Sequence, residues 1–176
     1  MNEQNIIACI CEGSAEQAVI ELLLENNKLY FEKQQLLDEK IIRVRSAERF
    51  EELYLRKNFN KKITVLRILD SRRENFKLSK LYKDKVEVIN IITSPEIEML
   101  IIHNENKYEE YDRSKKKPSD YCKQNLKYPE VKSYVFVKDY FSDIDKLINA
   151  IKLYHKKANI PKQEKTLFDL LINDRK

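Results

Sequence analysis

Between Ile6 and Cys11 the chain is apolar without a break, and the run stops at Glu12. An apolar run of this length fits a strand buried on both faces of a parallel sheet. Past Gly13 the period changes. Ala15, Ala18, Val19, Leu22 and Leu23 recur at helical spacing, predicting a helix that faces the sheet and ends near Asn26-Asn27. Ser14, with Gln17 three residues on, has the form of a capping box. Residues 41–44 predict a short second strand, and Ser46 caps a helix running to about Asn58. Ile63–Leu69 is a strong third strand that again ends in an acid, Asp70. A short helix around 78–82 leads to a fourth strand over 86–91. Ser94 as N-cap and Pro95 at the first helical position then open a helix whose buried face is Ile97, Leu100 and Ile101.

The second half reads less regularly. Residues 107–119 resemble an exposed connection, with Tyr108, Tyr111 and the Lys115-Lys116-Lys117-Pro118 turn. Ser119 is placed to cap a helix through Leu126, and residues 133–137 predict a last strand. An amphipathic helix is expected over 143–154, then a break at Pro161 and a terminal helix over 163–172. Strands alternating with helices predict one α/β domain over residues 1–176, with 104–176 packed on it as an extension. The sheet is expected to be mainly parallel, with four or five strands.

Composition narrows the class. The 176 residues are 42% hydrophobic and 36% charged, which fits a folded domain with a heavily charged surface. No apolar run approaches the roughly 20 residues needed to span a bilayer, and the polar first residues lack the order of a signal peptide. Cys9 and Cys11 are two apart on a strand and should share one face as small buried hydrophobes. With Cys122 the cysteines number three, so pairing would leave one over, and a reducing cytoplasm is the simplest expectation. Between Arg43 and Arg73 ten basic residues stand against four acids, and seven of the nine arginines lie there. Forked guanidinium groups suit phosphate, so a polyanionic partner such as nucleic acid is expected.

Candidate chemistry starts at Glu12-Gly13. Gly13 is the single glycine of the chain and falls where the first strand meets the first helix, a place where open α/β sheets bind ligands. A turn that merely needs a glycine is the equal alternative. Asp70 ends a later strand, and Glu96 and Glu98 open the helix after the next one. In a parallel sheet these acids share the carboxyl edge. Clustered carboxylates repel unless a cation or proton relieves them, and oxygen ligands of this kind suit Mg²⁺ or Mn²⁺. Arg72 and Arg73 follow Asp70 closely enough to meet phosphate. His103 and His155 read as packed or surface residues, no serine or cysteine sits in a nucleophile elbow, and Gly13 lacks the partners of a phosphate-binding loop. The missing glycines also disfavour a plain Rossmann-like nucleotide binder. Tyr108, Tyr111 and Tyr121 are candidates for base stacking or for a loop packed on the domain.

Cys11-Glu12-Gly13-x-x-Glu16, the strand-ending Asp70 and Pro95-x-x-Glu98 before an aliphatic run ending in His103 together resemble the Toprim fold of topoisomerases, primases and OLD-type nucleases. The resemblance is closest to small RloB-like Toprim proteins of bacterial phage defence, and spans residues 6–103. It implies a Mg²⁺-dependent nuclease acting on DNA or RNA, tRNA among the candidates, and a larger regulatory protein such as an ATPase that restrains it. It further implies catalytic and metal-binding roles for Glu12, Asp70 and Glu98, with Gly13 supporting them through its backbone. Arg72 stands where the family's second Asp-x-Asp acid belongs. Either Glu74 or Glu98 substitutes for that acid, or the site is degenerate and the chain is a module that binds a partner protein or nucleic acid without cutting.

Overall fold

Three of the apolar runs form the sheet in the computed structural model, which describes residues 5–56, 62–72 and 75–172. β1 (Ile6–Cys11), β2 (Ile63–Leu69) and β3 (Val86–Ile92) pair in the order β1-β2-β3, all parallel. Cys9 lies opposite Leu66 and Ile68 opposite Ile91, so these side chains share one face. Every position of β2 is buried, as its unbroken Ile-Thr-Val-Leu-Arg-Ile-Leu sequence requires of a central strand.

The face carrying Cys9, Cys11, Leu66, Ile68 and Ile91 is covered by helices. α1 (Ser14–Glu25) and α3 (Glu96–Asn104) lie on it, with α7 (Ile144–Lys157) behind α3. α4 (Tyr108–Ser114), α5 (Pro118–Gln124) and α6 (Tyr134–Tyr140) complete this layer, α5 against α3 and α6 against α1. The other face, carrying Ala8, Ile10, Ile63, Val65 and Val86, has thinner cover. It is closed by the short α2 (Ala47–Phe50), its continuation as a π-turn over Glu51–Leu55, and irregular chain bearing Leu37, Ile42 and Leu78. The architecture is α/β with a parallel sheet flanked by helices, consistent with a Rossmann-like fold.

Several expectations give way here. Among the described residues the sheet has three strands rather than four or five. Residues 41–44 approach β1 through a single bridge, Ile42 to Ile10, and the Ile42 amide donates to the Cys9 carbonyl at 2.8 Å. Asp38 and Glu39 adopt positive φ just before it, which turns the chain and leaves no run in register. Residues 133–137 are helical: the Ser133 hydroxyl accepts from the Phe136 amide at 3.1 Å and starts α6, with Val137 in the core. Ser46 does cap α2, whereas residues 78–82 form turns, residues 107–119 hold α4, and the chain end has only a 3₁₀ turn at Leu167–Leu170. α5 begins at Pro118, one residue before the expected Ser119 cap. All three cysteines are free and buried, with Cys9 and Cys11 in the same core. No helix among the described residues is long and apolar enough to cross a membrane.

Candidate functional site

The carboxyl edge of a parallel sheet gathers the residues that immediately follow its strands. Glu12 follows β1, Asp70 follows β2 and Thr93 follows β3. The sheet ladder runs one step beyond the strands to fix them, the Glu12 amide donating to the Ile68 carbonyl at 3.0 Å and the Thr93 amide to Leu69 at 2.8 Å. Glu12 turns its carboxylate across the edge, where Oε2 accepts from the Asp70 amide at 2.9 Å. That bond ties the ends of β1 and β2 together through the first of the predicted acids.

Asp70 and Glu98 are joined by a residue that sequence reasoning missed, Lys132, from the segment between α5 and α6. Its Nζ donates to Asp70 at 3.0 and 3.2 Å and lies 3.3 Å from Glu98 Oε1. Burial works against the Lys132 charge, but the bond to Asp70 and the charge of Glu98 outweigh it and raise its pKa. The Lys132 carbonyl in turn accepts from the Ser14 hydroxyl at 3.1 Å, which anchors this segment to the start of α1. Ser14 is therefore no helix cap. Gly13 occupies the cap position, and Gln17 bonds Glu21 and Arg43 instead of closing a capping box. Among the described residues, no three His, Cys, Asp or Glu side chains lie together as a metal-holding group.

A fourth acid, Glu16, belongs to the cluster. It is buried in the first turn of α1, where burial first and the Asp70 charge after it push its pKa up. Its Oε1 is 3.2 Å from Thr93 Oγ1, which also lies 3.0 Å from the Leu69 carbonyl. A hydroxyl has one proton to give. The single Thr93 proton is therefore shared between the Glu16 carboxyl and the Leu69 carbonyl. Glu16 was visible as the last letter of Glu-Gly-x-x-Glu, but an acid in a helix's first turn is usually a solvated one.

Gly13 does not serve the backbone freedom that its rarity suggests. Its φ of −113° and ψ of 170° are extended and open to any residue. What it supplies is room: a Cβ placed there would overlap Glu16 Oε2. Gly13→Ala is therefore expected to push the Glu16 carboxyl from its buried place beside Thr93. The cost should be about 1–3 kcal/mol, read by chemical denaturation. The double variant Gly13→Ala/Glu16→Ala should recover much of that loss. No recovery would show that the glycine serves something other than this carboxyl.

Glu98 sits in the first turn of α3 and is 4% exposed. Burial raises its pKa, with Lys132 acting in the opposite direction. Only its Oε1 meets Lys132; Oε2 is buried without a hydrogen-bond partner. Glu96 points away from the cluster, its Oε2 accepting from the Leu167 amide at 3.3 Å.

Among the described residues, Arg72, Arg43 and Arg49 are engaged away from these acids. Arg72 makes a two-pronged bond to Glu164 at 2.8 and 3.0 Å and a third to the Ser94 carbonyl at 3.1 Å. Arg73, like Glu74, lies outside the described residues. Arg43 and Arg49 bond Gln17 and Glu52, and Arg67 is buried with Phe76 over its guanidinium. Tyr121 is 1% exposed and closed to base stacking, with Tyr111 edge-on against it; Tyr108 stacks on His103. A separate cleft of about 340 Å³, lined by Glu21, Glu25, Lys33 and Lys40, contains none of the clustered acids.

Fold and site define an α/β protein with four carboxylates and one lysine at the carboxyl edge of a parallel sheet. No family model, curated protein or solved structure matches this chain.

Proposed function

We propose that the chain is a Toprim-like, divalent-metal-dependent nuclease, with Glu12, Asp70 and Glu98 as the acids of its centre. The single observation that carries this reading is that Lys132 holds Asp70 and Glu98 together beside the Glu12–Asp70 contact. Oxygen donors of this type suit Mg²⁺ or Mn²⁺, which bind through few carboxylates and leave positions for water and phosphate. Glu98 Oε2, buried with no partner, fits a cation better than an empty core. The chemistry supplied by a bound metal is activation of water and neutralisation of phosphate charge. Glu12, Asp70 and Glu98 would hold it, and Gly13 leaves space for the Glu16 carboxyl beside them. Arg72 is committed to Glu164, so phosphate contact falls to Arg73 or to groups brought by the substrate. The setting that accompanies this reading is cytoplasmic bacterial phage defence, with nucleic acid as substrate and a larger regulatory protein, an ATPase by the Toprim analogy, restraining the enzyme.

Incubation with DNA and with tRNA in Mg²⁺ or Mn²⁺ is expected to give cutting by the wild type that Glu12→Ala lowers at least about a hundredfold, the scale on which loss of a catalytic group acts. Equal cutting by both proteins, or none with either metal, would remove the nuclease reading.

A second reading takes the same contacts the other way. The Lys132 ammonium already neutralises Asp70 and Glu98, which suits a degenerate module that binds a protein or nucleic acid and does not cut. Such a module should show no metal-dependent rise in thermal stability.

A further inference from the structure

The site holds a cation of its own. Lys132 Nζ is within 3.3 Å of oxygens from both Asp70 and Glu98, two of the three acids assigned to the metal. An ammonium and a divalent ion cannot share that space, because like charges this close repel strongly. We infer that Lys132 is a resident counter-ion that competes with the metal, so that the acid site opens only when this side chain swings out. The inference deepens the proposed nuclease reading and rests on it for the purpose of the metal.

Three observations support a side chain with two positions. First, Glu98 is left half satisfied: Oε1 faces the ammonium while buried Oε2 has no partner. A charge that merely completed the structure would be expected to leave no buried acceptor open. Second, the lysine stem is long and flexible, so the ammonium can leave without moving backbone. The backbone itself is held at Lys132 by the Ser14 hydroxyl and beside it by buried Val131 and the Ser133 cap of α6. Third, there is somewhere to go. Lys132 also lines an open cleft of about 500 Å³ whose walls carry Asp120 and Glu130. The displaced ammonium would find these two carboxylates there, with Lys123 on the same wall.

In the inward position Lys132 pairs with Asp70 and with one oxygen of Glu98. In the outward position Asp70 and Glu98 lose that counter-charge, a state that a divalent ion stabilises. A metal therefore works against the lysine, and its apparent affinity is reduced by the fraction of molecules with Lys132 inward.

The test is Mn²⁺ alone, titrated into the full chain and followed by the spin-resonance signal of free Mn²⁺ and by thermal unfolding. Lys132→Met should bind Mn²⁺ at least about tenfold more tightly than wild type, and Lys132→Arg should stay close to wild type. Lys132→Gln, which removes the charge but keeps a long polar side chain, should tighten binding in the same direction, and it stands in if Lys132→Met does not fold. Equal binding by wild type, Lys132→Met and Lys132→Gln would overturn the competition while leaving the metal site and the nuclease reading in place. No Mn²⁺ binding by any variant would overturn both. Tighter binding by Lys132→Met in a protein that cuts neither DNA nor tRNA would sustain the competition and remove the nuclease.

Discussion

Glu96→Gln is expected to stabilise the protein by about 4 kcal/mol at pH 8 and by less than about 1 kcal/mol at pH 5, because one pKa unit is worth about 1.4 kcal/mol. Glu96 is 0% exposed at the start of α3, and burial pushes its pKa from 4.5 up to about 8. Its only hydrogen bond comes from the Leu167 amide, and Oε1 has no partner. Below pH 4.5 the carboxyl is protonated in both folded and unfolded chains. As the pH rises, the unfolded chain alone releases the proton, so stability falls until the folded carboxyl titrates near pH 8. Glutamine keeps the acceptor for Leu167 and has no proton to lose.

A second group on the same helix bends the profile. His103 is buried against Tyr108 and its pKa is lowered to about 4, by burial first and then by the Lys157 charge. It contributes stability that is complete above pH 6.5 and declines as the pH falls toward 4. Between pH 4.5 and 6.5 the two slopes oppose each other. Above 6.5 only the falling slope of the buried carboxyls remains, Glu96 with Glu16 and Glu98 beside it, and the wild type should lose stability up to pH 8. Urea denaturation of both proteins across this range checks the expectation. Parallel curves for wild type and Glu96→Gln would mean that Glu96 does not carry the dependence.

Phe50→Ala is the second large change, with an expected loss of about 3–5 kcal/mol, the usual range for a buried phenylalanine. Phe50 is 0% exposed and packs against Tyr54 and Phe76, with ring centroids 5.4 and 5.9 Å away. It is the largest fully buried side chain on the thinly covered face of the sheet. Among the described residues that face has no long helix to close over a cavity. A domain stable by about 5–15 kcal/mol would lose much of its margin. A denaturation midpoint within experimental error of wild type would show that the irregular cover collapses into the gap.

The strands that follow apolar runs were readable because burial on both faces leaves one solution for such a sequence. Ile6–Cys11, Ile63–Leu69 and the run from Val86 all became strands, and their acids therefore fell on one edge. Residues 133–137, Ser-Tyr-Val-Phe-Val, have the composition of a strand, yet the Ser133 cap and the packing of Val137 make them helical. Packing decided against propensity there. Lys132 carries no motif, since its role comes from where α5 and α6 place it. Glu16 was in view but unread, because its burial follows from the space above Gly13 rather than from its own position in the helix. Arg72 stands out in the sequence by the acid it replaces, while its partner, Glu164, lies 92 residues away.

The separation of these residues along the chain bears on how the protein comes into being. Ile6 pairs with Ile63, and Glu12 reaches Asp70 across 58 positions before Glu98 and Lys132 join. Contacts of that range form late, because long loops must close before any of them is rewarded. A nascent chain that has passed residue 98 but not reached residue 132 thus holds the acids without the lysine that pairs with them. The counter-charge arrives before α6 and α7, the helices that then pack against α1 and α3.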